Sequence, residues 1–132
     1  MILAMNPADP KQISLQFNAQ ITAHNINGLA ALMTTDHRFI DRDGQVTAGK
    51  EAMLDAWGRF FALFPDYVNT FTRVESQGDL VVLHGFATWE AGGAPDHAIW
   101  TARVEGGLVA EWRIYADNEE NRHRFGLGES ND

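Results

Sequence analysis

The chain changes character at Pro65. Before it, between Thr47 and Phe64, the apolar residues Met53, Leu54, Trp57, Phe60, Phe61 and Phe64 recur at steps of one and three, the mark of one broad helical face. After it, the stretches Tyr67–Gln77, Leu80–Trp89, His97–Glu105 and Leu108–Ala116 read as strands. Gln77-Gly78-Asp79, a Gly-rich loop at Ala91–Asp96 and Gly106-Gly107 separate them. A long helix with a wide aromatic face, followed by strands in antiparallel succession, must hide both surfaces. A strongly curved antiparallel sheet wrapped around that helix does so, giving an α+β fold shaped like a cone. The open mouth of a cone is a natural small-molecule pocket.

Upstream, Asp9-Pro10 reads as an acidic N-cap with proline at the first helical position. Ile13, Phe17 and Ile21 then form one apolar stripe on a helix that runs to about His24. Asn25-Ile26-Asn27-Gly28 breaks it, and a short second helix with Leu29, Ala30, Leu32 and Met33 follows from an Asn27 cap. A strand leads to Asp41 and is closed by Asp43-Gly44. The whole is one domain of 132 residues. The ends, about 1–8 and 119–132, are expected to be flexible, the second because it is polar and charged.

The absence of cysteine removes disulfides, thiolate nucleophiles and thiolate metal sites. A net charge of −8 argues against a nucleic acid or an anionic membrane surface as partner. The histidines lack the spacing of zinc ligands and no Gly-rich phosphate loop is present, so neither a metal nor a cofactor is expected. The apolar start Met1–Met5 is cut short at Asn6-Pro7, and a cytoplasmic location is expected.

Asp41 is the leading candidate for chemistry. Side chains two apart on a strand share a face, so an inward Phe39 brings Asp41 inward as well. A carboxylate aimed into an aromatic interior is costly without a partner, and such a setting makes a proton-transfer base. The plainer reading is a turn acid beside Arg42 and Asp43. His84 lies in the apolar run Leu80–Phe86, and if Val82, His84 and Phe86 face inward its imidazole stands across the pocket from Asp41. His37 shares the face of Phe39 and Asp41. Either histidine would suit proton transfer near neutral pH, although a buried histidine bonded to backbone is the commoner case. Phe17, Trp57, Phe61, Trp100 and Trp112 are expected to wall the pocket, with the indole N–H groups of Trp100 and Trp112 available to a ligand oxygen.

Asn27-Gly28-Leu29, Phe39-Ile40-Asp41 with Asp43-Gly44, Gly49-Lys50-Glu51-Ala52, Phe64-Pro65-Asp66 and Glu111-Trp112 running to Asp117 carry a resemblance that spans roughly Gln12 to Asn118. The chain resembles the nuclear transport factor 2-like superfamily, in its SnoaL-like polyketide cyclase and ketosteroid-isomerase-related branch. The resemblance implies a general-base aspartate at Asp41. It also implies two oxyanion donors, but Phe17 stands where ketosteroid isomerases carry a tyrosine, and the later aspartate position falls at or beside Trp100. One such donor is typically worth about 3 kcal/mol, so steroid isomerisation is not expected. Asp117 resembles the acid/base aspartate of SnoaL-type cyclases in position, although strand parity with Trp112, Ile114 and Ala116 would turn it outward.

Two functions follow as expectations. One is a cofactor-independent isomerase, cyclase or dehydratase acting on a hydrophobic carbonyl compound, with Asp41 as base and a histidine as partner. The other is a non-catalytic ligand-binding or dimerisation module. A homodimer through the outer sheet face is also expected, since the later strands carry apolar residues on both faces and one curved sheet buries only one of them in its own monomer.

Overall fold

The computed structural model describes residues 9–128, so the expectation of flexibility at 1–8 and 129–132 lies outside the described residues. Helix α1 (Pro10–Thr22) begins as the sequence suggests, with the Asp9 carboxylate accepting from the Lys11 N–H at 3.2 Å. Its stripe of Ile13, Phe17 and Ile21 is buried. Helix α2 (Ile26–Ala31) is capped by Asn25, whose side chain accepts from the Gly28 N–H at 3.0 Å, and not by Asn27. The expected second helix also stops early. Met33 opens strand β1 (Met33–Ile40), because the Leu32 carbonyl already accepts from the Val109 N–H at 2.7 Å and the β-branched Thr34 and Thr35 follow.

Strand β2 (Val46–Ala48) precedes helix α3 (Lys50–Leu63); strands β3 (Val68–Gln77), β4 (Leu80–Thr88), β5 (Asp96–Glu105) and β6 (Leu108–Ala116) follow, then helix α4 (Glu119–Arg124). The strands form one curled, unclosed sheet in the order β2-β1-β6-β5-β4-β3. Two features refine the sequence reading. β2 is a three-residue edge strand pairing Phe39 with Thr47, in a segment whose apolar pattern reads as the approach to α3. β1 pairs with β6 in parallel, Phe39 opposite Trp112, whereas every other pairing is antiparallel. The long crossover through α3 and four strands returns the chain beside β1 in the same direction.

Inside the curl, α1 and α3 press on Val81, Leu83, Trp100, Val104 and Trp112. From α3, Met53, Trp57 and Phe61 are buried, and burial of a large apolar side chain stabilises by about 1.5–3 kcal/mol. On the outside, α4 and the segment after it lay Phe125 and Leu127 over Val82 and Ile99. Within 119–128, then, the polar and charged sequence forms a helix that is packed on the sheet. Phe125 and Leu127, at 7% and 8% exposure, answer part of the need for a partner on that face. Among the described residues no helix is long and apolar enough to cross a membrane.

Gly85 shows how tightly β4 meets β3. It lies opposite Phe71 where the register shifts between Phe71 and Arg73, and a Cβ there would stand 1.9 Å from the Thr70 carbonyl oxygen. Gly85→Ala is expected to destabilise the protein by about 1–3 kcal/mol or more, read as a lowered urea midpoint, whereas Gly58→Ala, with open space around it, should not.

Candidate active site

A cleft of about 470 Å³ opens between α3 and the concave face of the sheet. Met53, Ala56, Trp57 and Phe60 wall it from α3; Phe39, Trp100, Trp112 and Ile114 wall it from β1, β5 and β6. Tyr67 and Trp89 close the side toward the β4–β5 loop. All four tryptophans of the chain line this one cleft. Near the mouth, Trp89 packs edge-on against Phe60, Phe64 and Tyr67 at 5.6, 5.0 and 5.0 Å between ring centroids. The indole N–H groups of Trp57, Trp100 and Trp112 have no acceptor among the described residues and are buried, so those of Trp100 and Trp112 are not open to a ligand oxygen, contrary to expectation.

Asp41 stands at the mouth, on the same side as Phe39, as strand alternation requires. Its carboxylate is ordered by the turn that follows. Oδ1 accepts the backbone N–H groups of Asp43 and Gln45, both at 2.9 Å. Gly44, at φ +84°, supplies the left-handed step this turn needs. The second oxygen, Oδ2, takes no bond within the described residues. The plainer reading of a turn acid therefore holds for one oxygen and leaves the other to the cleft.

Across the mouth, Arg42 donates through both Nη atoms to the two oxygens of Asp96, at 3.2 and 3.3 Å, and the Trp89 indole donates to Asp96 at 3.0 Å. Burial works against the charge on Asp96, but the bonds from Trp89 and Arg42 outweigh it and hold the carboxyl below its ordinary range. Burial, joined by the negative charge of Asp96, pushes the Tyr67 hydroxyl well above its ordinary range, so it remains a neutral donor.

The other expected site residues go elsewhere. His84 points to the outer face, because Val81, Leu83 and Ala87 take the inner one. There His84 Nε2 meets Asp117 Oδ2 at 3.0 Å, while Arg122 donates to Asp117 Oδ1 at 2.6 Å. Neither His84 nor Asp117 lines the cleft. They fasten α4 to the sheet. His37 faces inward but is fully buried in the core. Its Nδ1 donates to the Val109 carbonyl at 2.7 Å and Nε2 has no partner. Phe17 packs behind the wall against His37 and Trp112, at 5.6 and 4.9 Å. Phe61 stacks on His24 at 4.3 Å and on Trp57 at 5.3 Å, also outside the cleft. Of the five expected wall residues, Trp57, Trp100 and Trp112 reach the cavity. Phe60, Tyr67, Trp89, Arg42 and Asp96 complete it without having been singled out. Reading β4 in the phase of Leu83 and Ala87 would have placed Trp89 inside. Among the described residues, no three His, Asp or Glu side chains converge as a metal site would require.

A curled sheet closed on helices, with an aromatic cleft at its wide end, is the architecture of the nuclear transport factor 2-like proteins. The SnoaL-like domain family matches residues 15–112, and the chain belongs to that family. No curated protein matches the sequence. Among solved structures, a SnoaL-like protein of Shewanella putrefaciens, provisionally described as a polyketide cyclase, superposes with a TM-score of 0.73 at 15% identity, over 97% of this chain and 99% of that one. Rv0760c of Mycobacterium tuberculosis gives 0.72 at 22% identity, over 83% and 94%. A protein of Sinorhizobium meliloti, also provisionally described as a polyketide cyclase, gives 0.70 at 16%, over 83% and 99%.

The buried groups set the pH response. Burial lowers the pKa of His37, against opposing contributions from Val109, Asp36 and Glu111. Burial also opposes the charge on Asp117, but the bonds from Arg122 and His84 lower its pKa overall. Both folded-state values are depressed, so each stabilisation is present above the unfolded value, about 6.5 for His and about 3.9 for Asp, and is lost as pH falls through the folded value. Urea midpoints should decline on acidification below pH about 6.5 and again below about 4. The His37 ring protons should not titrate at the ordinary histidine pH by NMR, and Asp117→Asn should flatten the second decline.

Proposed function

We propose that the cleft takes a hydrophobic carbonyl compound and that Asp41 moves a proton on it without a cofactor, as an isomerase, cyclase or dehydratase would. One observation carries this reading: a carboxylate at the mouth of an aromatic cavity, with one oxygen fixed by two backbone N–H groups and the other free. Oδ2 would take the proton from the carbon beside the carbonyl. The C–H electron pair then becomes the carbon–carbon π bond and negative charge gathers on the carbonyl oxygen. Phe17 offers that oxygen nothing. The donor left to it in the lining is the Tyr67 hydroxyl, since the indole N–H groups of Trp100 and Trp112 are buried out of reach. Return of the proton at another carbon completes an isomerisation. Loss of a β-hydroxyl from the enolate, which takes back the proton held by Asp41 and leaves as water, completes a dehydration and restores the carboxylate.

Asp41→Asn tests the base. The amide oxygen can still accept from the turn, so the mouth keeps its shape while the proton acceptor is lost. Deuterium uptake at the activated carbon of 2-tetralone, followed by proton NMR in heavy water, should be accelerated by the protein. The acceleration should fall by about 100-fold or more in Asp41→Asn. Undiminished exchange would remove Asp41 from the chemistry. Failure of the protein to accelerate exchange, with 2-tetralone still quenching tryptophan fluorescence, would favour the non-catalytic binding module. The placement of both candidate histidines outside the cleft supports that second reading.

A second copy on the remaining outer face belongs to the same proposal. Phe86 and His97 pair their rings there at 5.6 Å. Light scattering at micromolar concentration should give a dimer mass. A monomer mass would mean that α4 and the segment after it complete that face.

A further inference from the structure

The charge around the cleft discriminates between ligands more sharply than its apolar walls do. Three carboxylates line it, those of Asp41, Asp43 and Asp96, against the single guanidinium of Arg42. That guanidinium is committed: both of its Nη atoms bond both oxygens of Asp96. The cleft has no other lysine, arginine or histidine in its lining. What a ligand meets at the mouth is therefore the free oxygen of Asp41, the exposed carboxylate of Asp43 and the rings of Trp89 and Tyr67.

We infer that the ligand carries a cationic group, a protonated amine, at the end that faces the mouth. The inference rests on the cleft being the ligand site, and not on Asp41 acting as a base. Aromatic faces attract a cation through their quadrupoles, and they do so most strongly where water is excluded. Two carboxylates left without a cationic partner add attraction of the same sign, and the charge of −8 on the whole chain reinforces it. An anionic ligand meets the reverse on every count. To bind, its carboxylate would have to take Arg42 from Asp96 and leave Asp96 uncompensated. The ligand this describes is an apolar body with an ammonium group outward.

Three probes of one shape separate the possibilities: 2-aminotetralin, 2-tetralol and tetralin-2-carboxylate, titrated at neutral pH against tryptophan fluorescence. The amine should bind about tenfold more tightly than the alcohol, and the carboxylate more weakly than either. Added salt should shrink the preference for the amine. Asp41→Asn and Asp43→Asn should each cut the amine-to-alcohol ratio by about threefold, with the fold of each variant checked by circular dichroism. Equal binding of amine and alcohol, or tightest binding of the carboxylate, would overturn the inference while leaving deuterium exchange to judge the proton-transfer reading by itself. Binding of none of the three would overturn both readings of the cleft as a ligand site. Binding of the amine with no exchange on 2-tetralone would uphold this inference and defeat only the catalytic one.

Discussion

Phe17 has no exposed surface, and its contact with His37 and Trp112 decides where the interior is solid and where it is hollow. A sheet that curls around helices encloses more volume at its wide end than at its narrow one. α1 drives Phe17 and Ile21 fully into the core, and neither lines the cleft. α3 lies across the cleft, and its Met53, Ala56, Trp57 and Phe60 wall only one side of it. The cavity is the space that this single helix leaves between itself and Trp100 and Trp112. Ring size matters here as much as hydrophobicity, since large flat side chains span the gap at its edges without filling its centre.

The order of elements could be read from the chain because periodicity, caps and turn residues agree along most of its length. The Asp9-Pro10 helix start, the α3 face and the four strands after Pro65 each rest on two or more such signals. Asp41 could also be placed, because Phe39 fixes its phase and Asp43-Gly44 its position at a strand end. His84 could not. β4 is apolar in both phases, with Val81, Leu83 and Ala87 in one and Val82 and Phe86 in the other, so alternation gives no direction. Gly85 weakens the inner phase further by contributing no side chain. The hidden information lies forty residues downstream, where Phe125 and Leu127 cover Val82 and Ile99 and make that second phase apolar for a reason of its own.

The polar groups divide along the same line. Those on the inner side are few and each is either fixed or left open: one oxygen of Asp41 is held and the other is free, and Asp96 is fully engaged. Those on the outer side are structural. His84, Asp117 and Arg122 join a strand, a strand end and a short terminal helix of six residues that local propensity alone could not sustain. The aspartate that strand position suggests for acid/base chemistry is spent on holding that helix.

The bond from His37 to the Val109 carbonyl spans 72 residues of chain. It crosses the one parallel seam of the sheet, at the stretch where the ladder between β1 and β6 loses register. Hairpin partners meet as soon as both are made, but these two strands meet only after nearly everything between them exists. Without β6, β1 has β2 as its strand neighbour on one edge and no strand on the other. The last strand completes the sheet by closing that edge, and a side chain from the first strand helps to seal it. The wide end of the enclosure, with Asp41 on β1's side and Trp112 on β6's, comes into being only with that final closure.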